Sequence, residues 1–207
     1  MSLAQLAPAG LATDTFRLLF VCSANVRLSV MAERLARHAL LVRRDGVGLR
    51  FRVSSAGLRA VSGARPDPYA AAALTRLGAN VCRFGARRLS PELLREADLV
   101  LTANRRQRGG VVVMLPAASR KVFTLREFAR VAAHLPGDED APAGAGVADR
   151  ARWVVGTVAQ LRGQVGVVAA PRDDIEDPAH RPGAFRSCAK GISVAVAAAV
   201  DALCPAG

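Results

Sequence analysis

The segment "FRLLFVCSANVRLSVMAERLARHALLV", residues 16–42, constrains the fold more than any other part of the sequence. Its first six residues are mostly apolar, which is typical of a short buried strand, and a turn follows at once. Small and polar residues come next, and Ser29 is predicted to cap a helix over residues 29–42. Apolar side chains recur along that helix at Met31, Leu35, Ala39 and Val42. A strand joined by a short loop to a helix is the unit from which parallel sheets are built.

The rest of the chain repeats this alternation of strands and helices. Further strands are predicted over residues 50–54, 98–103 and 121–125. Helices are predicted over residues 69–77, from Ser90 as a cap, and over residues 126–135, 148–161 and 184–203. The sequence therefore predicts an α/β fold, a three-layer sandwich with a central four-stranded parallel sheet flanked by helices. Residues 1–15 are predicted to be a flexible N-terminal arm, because they lack the basic start and apolar core of a signal peptide.

The net charge of +12 indicates anionic partners. Phosphorylated proteins, phosphate esters, nucleic acid and acidic surfaces all fit, and so does a solvated arginine-rich surface without any partner. Nucleic acid is the weaker alternative, because the arginines are scattered and no RNA-binding aromatic signature is present. No membrane association is expected, because the apolar run over residues 192–203 is too short to span a bilayer. The oligomeric state cannot be predicted from the sequence.

Four cysteines show no C-x-x-C pair and no zinc spacing, and the three histidines are dispersed. We therefore predict no metal and no cofactor. A reducing compartment, the cytoplasm, fits best.

Cys22 and the loop after it occupy the place where parallel sheets bind ligands, beyond the carboxyl ends of the strands. The backbone N–H groups and the helix dipole favour an anion there, and they also favour the nucleophilic thiolate form of cysteine. Ala24 is small enough for a tight loop, Asn25 tolerates a left-handed backbone, and Ser29 can donate a hydrogen bond to the thiolate. An isolated cysteine would more often be a buried strand-end residue, but these surroundings favour a phosphate-binding loop.

Several segments together resemble the low-molecular-weight protein tyrosine phosphatases and the related arsenate reductases. That family opens with a strand and then C-x-G-N-x-C-R-S-P-M-A-E, where residues 22–33 here read CSANVRLSVMAE. "SSAGL" resembles its D-S-A-G segment, "ARPDPYA" its P-x-D-P-R-A helix start, and "DDIEDP" its D-I-x-D-P loop. "GARRLSPELLREADLVLTANR" is similar to its R-x-L-T-P-E … D-L-I-L-x-M-x segment. Residues 16–207 are thus predicted to form one phosphatase-like domain, with extra sequence around 121–170.

The resemblance implies roles for individual residues. Cys22 matches the nucleophile that forms a phosphocysteine, and Asp177 matches the acid that protonates the leaving oxygen and later activates water. The alternative for Asp177 is a turn residue before a proline. Asn25 and Ser29 match residues that order the loop and bond the thiolate. The implied phosphate-binding loop is Ser23, Ala24, Asn25, Val26, Arg27, Leu28 and Ser29. The implied partners are phosphate and phosphorylated proteins or small molecules.

The sequence departs from the family pattern at Leu28, where the family has an arginine that grips two phosphate oxygens. Loss of that group is expected to lower the rate by at least on the order of 10²–10³. Arg27 stands at the place of a second cysteine and is not expected to replace the arginine, because neighbouring loop side chains point in different directions. A loop re-formed one residue shorter is the alternative. His180 lies where the family has aromatic residues, so it is either a pocket-rim residue or a solvent-exposed one.

Three functions therefore stay open. The first is a phosphatase with weakened activity, and the second is an inactive pseudophosphatase that binds phosphate or a phosphoprotein for regulation. The third is a cysteine enzyme of another reaction class. An arsenate reductase has less support, because its disulfide relay needs cysteines at positions that Cys82, Cys188 and Cys204 do not match. These three cysteines are expected to be small core residues.

Overall fold

Four strands form one parallel sheet at the centre of the fold. The computed structural model describes residues 15–43, 46–137, 141–142, 144–166, 170–178 and 180–205. In it the strands lie in the order β2-β1-β3-β4. They are β1 (Phe16–Cys22), β2 (Phe51–Gly57), β3 (Leu99–Thr102) and β4 (Val122–Thr124). The predicted α/β sandwich around a four-stranded parallel sheet is therefore confirmed. The predicted N-terminal arm lies, except for Thr15, outside the described residues.

The part of the chain that the structure describes contains eight α-helices and two short 3₁₀ turns, Val47–Arg50 and Pro116–Lys121. The helices are α1 (Leu28–Leu41), α2 (Pro68–Arg76), α3 (Pro91–Glu96), α4 (Arg105–Met114), α5 (Leu125–Ala132), α6 (Val147–Leu161), α7 (Ala170–Asp173) and α8 (Pro182–Leu203).

The side chains of β1 alternate between two apolar clusters, which makes the sheet the middle layer. Leu18 and Phe20 pack with residues of α1, α2, α5, α6 and α8 on one face. Leu19 and Val21 pack with residues of α3 and α4 on the other. Burial of each such side chain stabilises the fold by about 1.5–3 kcal/mol. The sheet is thus held between two helical layers, and its carboxyl edge stays open for a site.

The start of α1 differs from the sequence prediction. The helix begins at Leu28, and the residue before it, Arg27, provides no side-chain cap. Ser29 therefore lies inside the first turn, so its predicted capping role is wrong; its hydroxyl is instead directed at Cys22, 3.0 Å away. The predicted cap at Ser90 is confirmed, because its side chain accepts a hydrogen bond from the N–H of Leu93.

Helix α8 is longer than the apolar run that the sequence showed, because it begins at Pro182. By length and composition it is the one helix among the described residues that meets the criteria for a membrane span. Its buried residues, among them Phe185, Ile192 and Val196, belong to the core cluster with residues of α1 and α5. The buried side of α8 therefore belongs to the same core cluster as α1 and α5.

Candidate active site

Cys22 ends β1 at the carboxyl edge of the sheet, and its sulfur is held by two polar contacts. Sγ lies 3.0 Å from Ser29 Oγ in the first turn of α1, and the N–H of Asn25 donates to Sγ at 3.3 Å. The Cys22 side chain is almost fully buried. The Asn25 N–H donates to the sulfur and the Ser29 hydroxyl is in hydrogen-bond contact with it, and both groups can donate to a thiolate.

Asn25 fixes the curl of the loop between β1 and α1. Its backbone is left-handed, with φ of 57°, and its side chain is fully buried. Nδ2 donates to Ser29 Oγ at 2.9 Å and to Ser55 Oγ at 2.8 Å, and Oδ1 accepts the N–H of Arg87 at 2.9 Å. One side chain therefore ties the loop to α1, β2 and the segment before α3.

Glu33, in α1, extends the same hydrogen-bond network through Ser55. Ser55 Oγ donates to Glu33 Oε2 at 2.5 Å, and Arg37 lies 3.0 Å from the other carboxylate oxygen. The carboxylate is buried, so these partners compensate a charge that would otherwise be costly. Glu33 belongs to the motif of residues 22–33, but no role for it was predicted from the sequence.

Gly57 makes the tight loop possible. A Cβ atom at this position would lie 2.8 Å from the backbone N of Asn25 and from the backbone O of Ser23. No side chain can be accommodated so close to backbone atoms. Gly57, the glycine of "SSAGL", therefore allows the end of β2 to pack closely against the Cys22 loop.

A cleft of about 440 Å³ opens over the Cys22 loop. From the predicted loop, Cys22, Ser23, Ala24, Val26, Arg27 and Leu28 line it. Asn25 and Ser29 are buried behind the loop rather than exposed to the cleft. Asp177 lines the cleft from the other side, so the structure brings the two predicted catalytic residues to one site.

Leu28 and Arg27 diverge, as the sequence analysis expected of neighbouring loop residues. Leu28 is buried in the core cluster, while one edge of it lines the cleft. Arg27 extends toward the mouth, where its Nη1 lies 3.0 Å from Asp177 Oδ1 and its Nε lies 3.8 Å from Asp67 Oδ2. Arg27 therefore pairs with carboxylates at the rim.

The segment that carries Asp177 is attached to the carboxyl edge of the sheet by its residues 173–175. The Ile175 N–H donates to Ala103 O at 2.8 Å, and Thr124 Oγ1 donates to Asp173 O at 2.7 Å. The Asp173 carboxylate is buried and bonded by Arg105 and Arg130. Burial would raise the pKa of Asp173, but the hydrogen bonds from Arg130 and Arg105 outweigh it and hold that pKa below its usual value.

His180 is exposed and is not among the described residues that line the cleft. Its Nδ1 lies 3.7 Å from Asp67 Oδ2, and its ring packs edge-on against Tyr69. His180 shares Asp67 with Arg27, so it lies beside the mouth of the cleft.

The cleft is also lined by residues that the sequence did not predict, and three of them are Arg59, Arg106 and Gln107. Gln107 Nε2 donates to Ser23 Oγ at 3.3 Å, and its Oε1 accepts the N–H of Ala103 at 3.1 Å. All three follow the carboxyl ends of β2 and β3. Their position after predicted strands was the one signal that pointed to them.

The other cysteines lie apart from the cleft lining, and all four are free thiols. Cys204 is in the core and Cys188 packs against it, but Cys82 is exposed, so its expected core position is wrong. Burial, with a smaller effect from the charge of Asp177, raises the pKa of Cys188 to about 11. Cys188 therefore stays protonated near neutral pH, which makes it a poor nucleophile.

Within the described ranges, no group of three His, Cys, Asp or Glu side chains is arranged to hold a metal ion. The expectation of no metal and no cofactor stays a prediction.

The sequence profile of the low molecular weight phosphotyrosine protein phosphatases matches residues 17–150, well over half of the chain. This chain belongs to that family. A probable low molecular weight protein-tyrosine-phosphatase, EpsP of Ralstonia solanacearum, is 34% identical over 111 residues, which cover 54% of this chain and 71% of the relative. The phosphatase Wzb of Salmonella typhi is 34% identical over 109 residues, covering 52% and 66%.

Solved structures of this phosphatase fold also resemble the chain. The low molecular weight protein tyrosine phosphatase from T. tengcongensis has a TM-score of 0.64 at 23% identity, covering 90% of this chain and 99% of the other. The YwlE arginine phosphatase from Geobacillus stearothermophilus has a TM-score of 0.62 at 22% identity, covering 90% and 91%. The two are named for different substrates, so the shared fold does not specify one.

Proposed function

We propose that this member of the low molecular weight phosphatase family hydrolyses phosphate monoesters through a cysteinyl-phosphate, with activity weakened by Leu28. The observation that carries the proposal is the pairing of Cys22 and Asp177 across one cleft. The sulfur lies at its base with hydrogen-bond donors directed at it. Phosphorylated substrates follow from the family, and a protein, a peptide or a small molecule would each present the same phosphoryl group.

The first step forms a bond between Cys22 Sγ and phosphorus. The bond from phosphorus to the ester oxygen breaks, and Asp177 donates a proton to that leaving oxygen. Substrate entry has to separate Asp177 from Arg27, because their ion pair of 3.0 Å engages the carboxylate. Ser29 then stabilises the sulfur as it becomes a leaving group in the second step.

The second step hydrolyses the cysteinyl-phosphate and regenerates the free Cys22 thiolate. Water attacks phosphorus while the Asp177 carboxylate takes a proton from it, the bond from sulfur to phosphorus breaks, and inorganic phosphate leaves. Both steps develop charge on the phosphoryl oxygens, which Leu28 cannot stabilise. We therefore expect turnover to be slower by on the order of 10²–10³ than that of an arginine-containing loop.

Hydrolysis of p-nitrophenyl phosphate by three proteins tests the proposal. The native chain should turn over slowly, Cys22→Ser should abolish that turnover, and Leu28→Arg should raise kcat by about 10²-fold. Leu28 borders the cleft, so an arginine there has an opening into which its side chain can extend. Cys204→Ser is the matched control, because that thiol is buried in the core away from the cleft.

The outcome that contradicts hydrolysis is native turnover that survives Cys22→Ser, or the absence of any turnover in both the native chain and Leu28→Arg. A phosphate affinity that also stays unchanged in Leu28→Arg would contradict the alignment of the loop.

A pseudophosphatase that binds phosphate or a phosphoprotein for regulation is the second candidate. It is favoured by the burial of Leu28 together with the ion pair that engages Asp177. Tight binding of inorganic phosphate by the native chain without turnover, and turnover gained by Leu28→Arg, would support this second function. For either function we propose a cytoplasmic location, which the four free thiols fit.

A further inference from the structure

The cleft over Cys22 carries more positive charge than its carboxylate neutralises. Three arginines, Arg27, Arg59 and Arg106, line it. Asp177 is the sole acidic side chain among the described residues that line it. This excess arises although the loop position Leu28 contributes no charge.

Arg27 does not account for the excess. Its guanidinium lies 3.0 Å from an oxygen of Asp177 and 3.8 Å from an oxygen of Asp67. The Asp67 side chain is only 9% exposed, so that contact is shielded from water. Two carboxylates therefore compensate the charge of Arg27.

Arg59 and Arg106 are different, because neither guanidinium pairs with a carboxylate within the part of the chain that the structure describes. Both side chains are exposed at the rim. The structure thus places two uncompensated cations in the cleft that contains the nucleophile.

Contacts to Ser23, the residue after Cys22, position the backbone at these two arginines. The Arg59 N–H donates to Ser23 O at 2.8 Å. Arg106 precedes Gln107 in the first turn of α4, and Gln107 Nε2 donates to Ser23 Oγ at 3.3 Å. The backbone from which each arginine side chain extends is therefore anchored beside the Cys22 loop, on two different elements.

We propose that Arg59 and Arg106 are specificity-determining residues that select phosphomonoesters bearing a second anionic group near the phosphate. This inference rests on the proposed function in one respect, that the Cys22 loop receives the phosphoryl group. The two guanidinium groups at the rim then meet a carboxylate or second phosphate with planar, bidentate hydrogen bonds. A cleft of about 440 Å³ has room for a substrate of this size.

Two matched probes separate this selection from simple phosphate binding. They are 4-carboxyphenyl phosphate and 4-carbamoylphenyl phosphate, which differ in one negative charge. Calorimetric titration of the full chain carrying Cys22→Ser, which prevents consumption of the probe, gives the affinity for each. We expect the carboxylate probe to bind better by about tenfold, and the Arg59→Gln, Arg106→Gln double variant to lose that preference.

Arg120→Gln is the matched control. Arg120 is exposed and lies in the 3₁₀ turn that leads into β4, so it lies at the opposite edge of the parallel sheet from the cleft. This variant should keep the preference for the carboxylate probe.

Three results would overturn the inference: no preference in the parent protein, a preference that survives the double variant, or an equal loss in Arg120→Gln. Failure to bind either probe would contradict the inference together with the proposed function. Hydrolysis of p-nitrophenyl phosphate by the native chain, measured in parallel, distinguishes the two. A selective cleft without turnover contradicts hydrolysis alone, whereas turnover without selectivity contradicts the arginine pair alone.

Discussion

Leu28 stands where the family has the arginine that binds phosphate, and its side chain packs in the core. The neighbouring residue, Arg27, carries a positive charge instead. The family resemblance assigned Cys22 and Asp177 to one site, and both line one cleft, whereas Asn25 lies behind the loop and bonds the Cys22 sulfur. Asn25 follows Cys22 in one contiguous motif, so the sequence alone could place these two residues side by side. The direction of Arg27 toward Asp67 and Asp177 depends on segments 40 and 150 positions away. No local pattern encodes such a contact, and for that reason the sequence left the role of Arg27 open.

At the residue scale, we predict that Asn25→Ala lowers the free energy of unfolding by about 2–3 kcal/mol. The change removes the partners of the Arg87 N–H and of Ser55 and requires alanine at a positive φ. Chemical denaturation measures the change. Asn80→Ala, at an exposed position whose side chain accepts one backbone N–H, should cost less than about 1 kcal/mol. Equal losses in the two variants would contradict the proposed ordering role of Asn25.

At the scale of elements, the site is made where the end of β2 meets the loop after β1. The sequence predicted both strands and their parallel pairing, since alternation with helices allows little else. It placed the end of β2 at residue 54, whereas the strand continues to Gly57. The three additional residues bring Ser55 to Asn25 and Gly57 against the loop backbone. Such an extension is decided by tertiary contacts, which strand propensity does not contain.

Gly57→Ala should open the loop. Its new Cβ would meet backbone atoms at 2.8–2.9 Å, so the Cys22 loop has to move. We expect the affinity for inorganic phosphate to fall by about tenfold or more. Gly156→Ala in α6, where a Cβ meets nothing within 4 Å, should leave phosphate affinity unchanged and stabilise the helix by about 0.5–1 kcal/mol. Unchanged phosphate binding in Gly57→Ala would contradict the close approach.

The attachment of the Asp177 segment predicts a pH-dependent stability. The lowered pKa of Asp173 means that its contacts with Arg130 and Arg105 stabilise the folded state above the ordinary carboxyl pKa of 3.8. That stability is lost as the pH falls through the lower pKa of the folded state. Asp173→Asn should therefore cost about 1.5–3 kcal/mol at neutral pH, and less as the pH falls below about 4.

Denaturation at several pH values gives this difference directly. Asp149→Asn serves as the control, because the Asp149 carboxylate is two-thirds exposed in its pair with Arg152 and should contribute less than about 1 kcal/mol. A cost of Asp173→Asn that is independent of pH would contradict the assigned ion pairs.

For the whole molecule, composition predicted anionic partners but not where they bind. The net charge of +12 comes from arginines spread along the chain, and only the fold brings Arg59 and Arg106 to the cleft of Cys22. The layers were predictable, because apolar alternation in β1 requires helices on both faces of the sheet. The residues that line the cleft were not predictable in the same way, because they come from segments that follow three different strands.

Salt should weaken phosphate binding by the native chain. The Debye length falls from about 10 Å at 0.1 M to about 3 Å at 1 M ionic strength, so exposed cations at the rim are screened. The affinity for inorganic phosphate should fall across this range, and less steeply in the Arg59→Gln, Arg106→Gln double variant. The same dependence in both proteins would assign the effect to the overall charge rather than to the cleft.

The most direct test of the central claim is to trap the phosphorylated enzyme. The Asp177→Asn variant keeps the thiol and the loop but lacks the group that activates water, so a phosphoryl group transferred to the cysteine should persist. After reaction with p-nitrophenyl phosphate and acid quenching, mass spectrometry of the peptides should find one phosphoryl group on Cys22 and none on Cys82, Cys188 or Cys204. Turnover of the ester with Cys22 unmodified, or a phosphoryl group on another residue, would contradict the account.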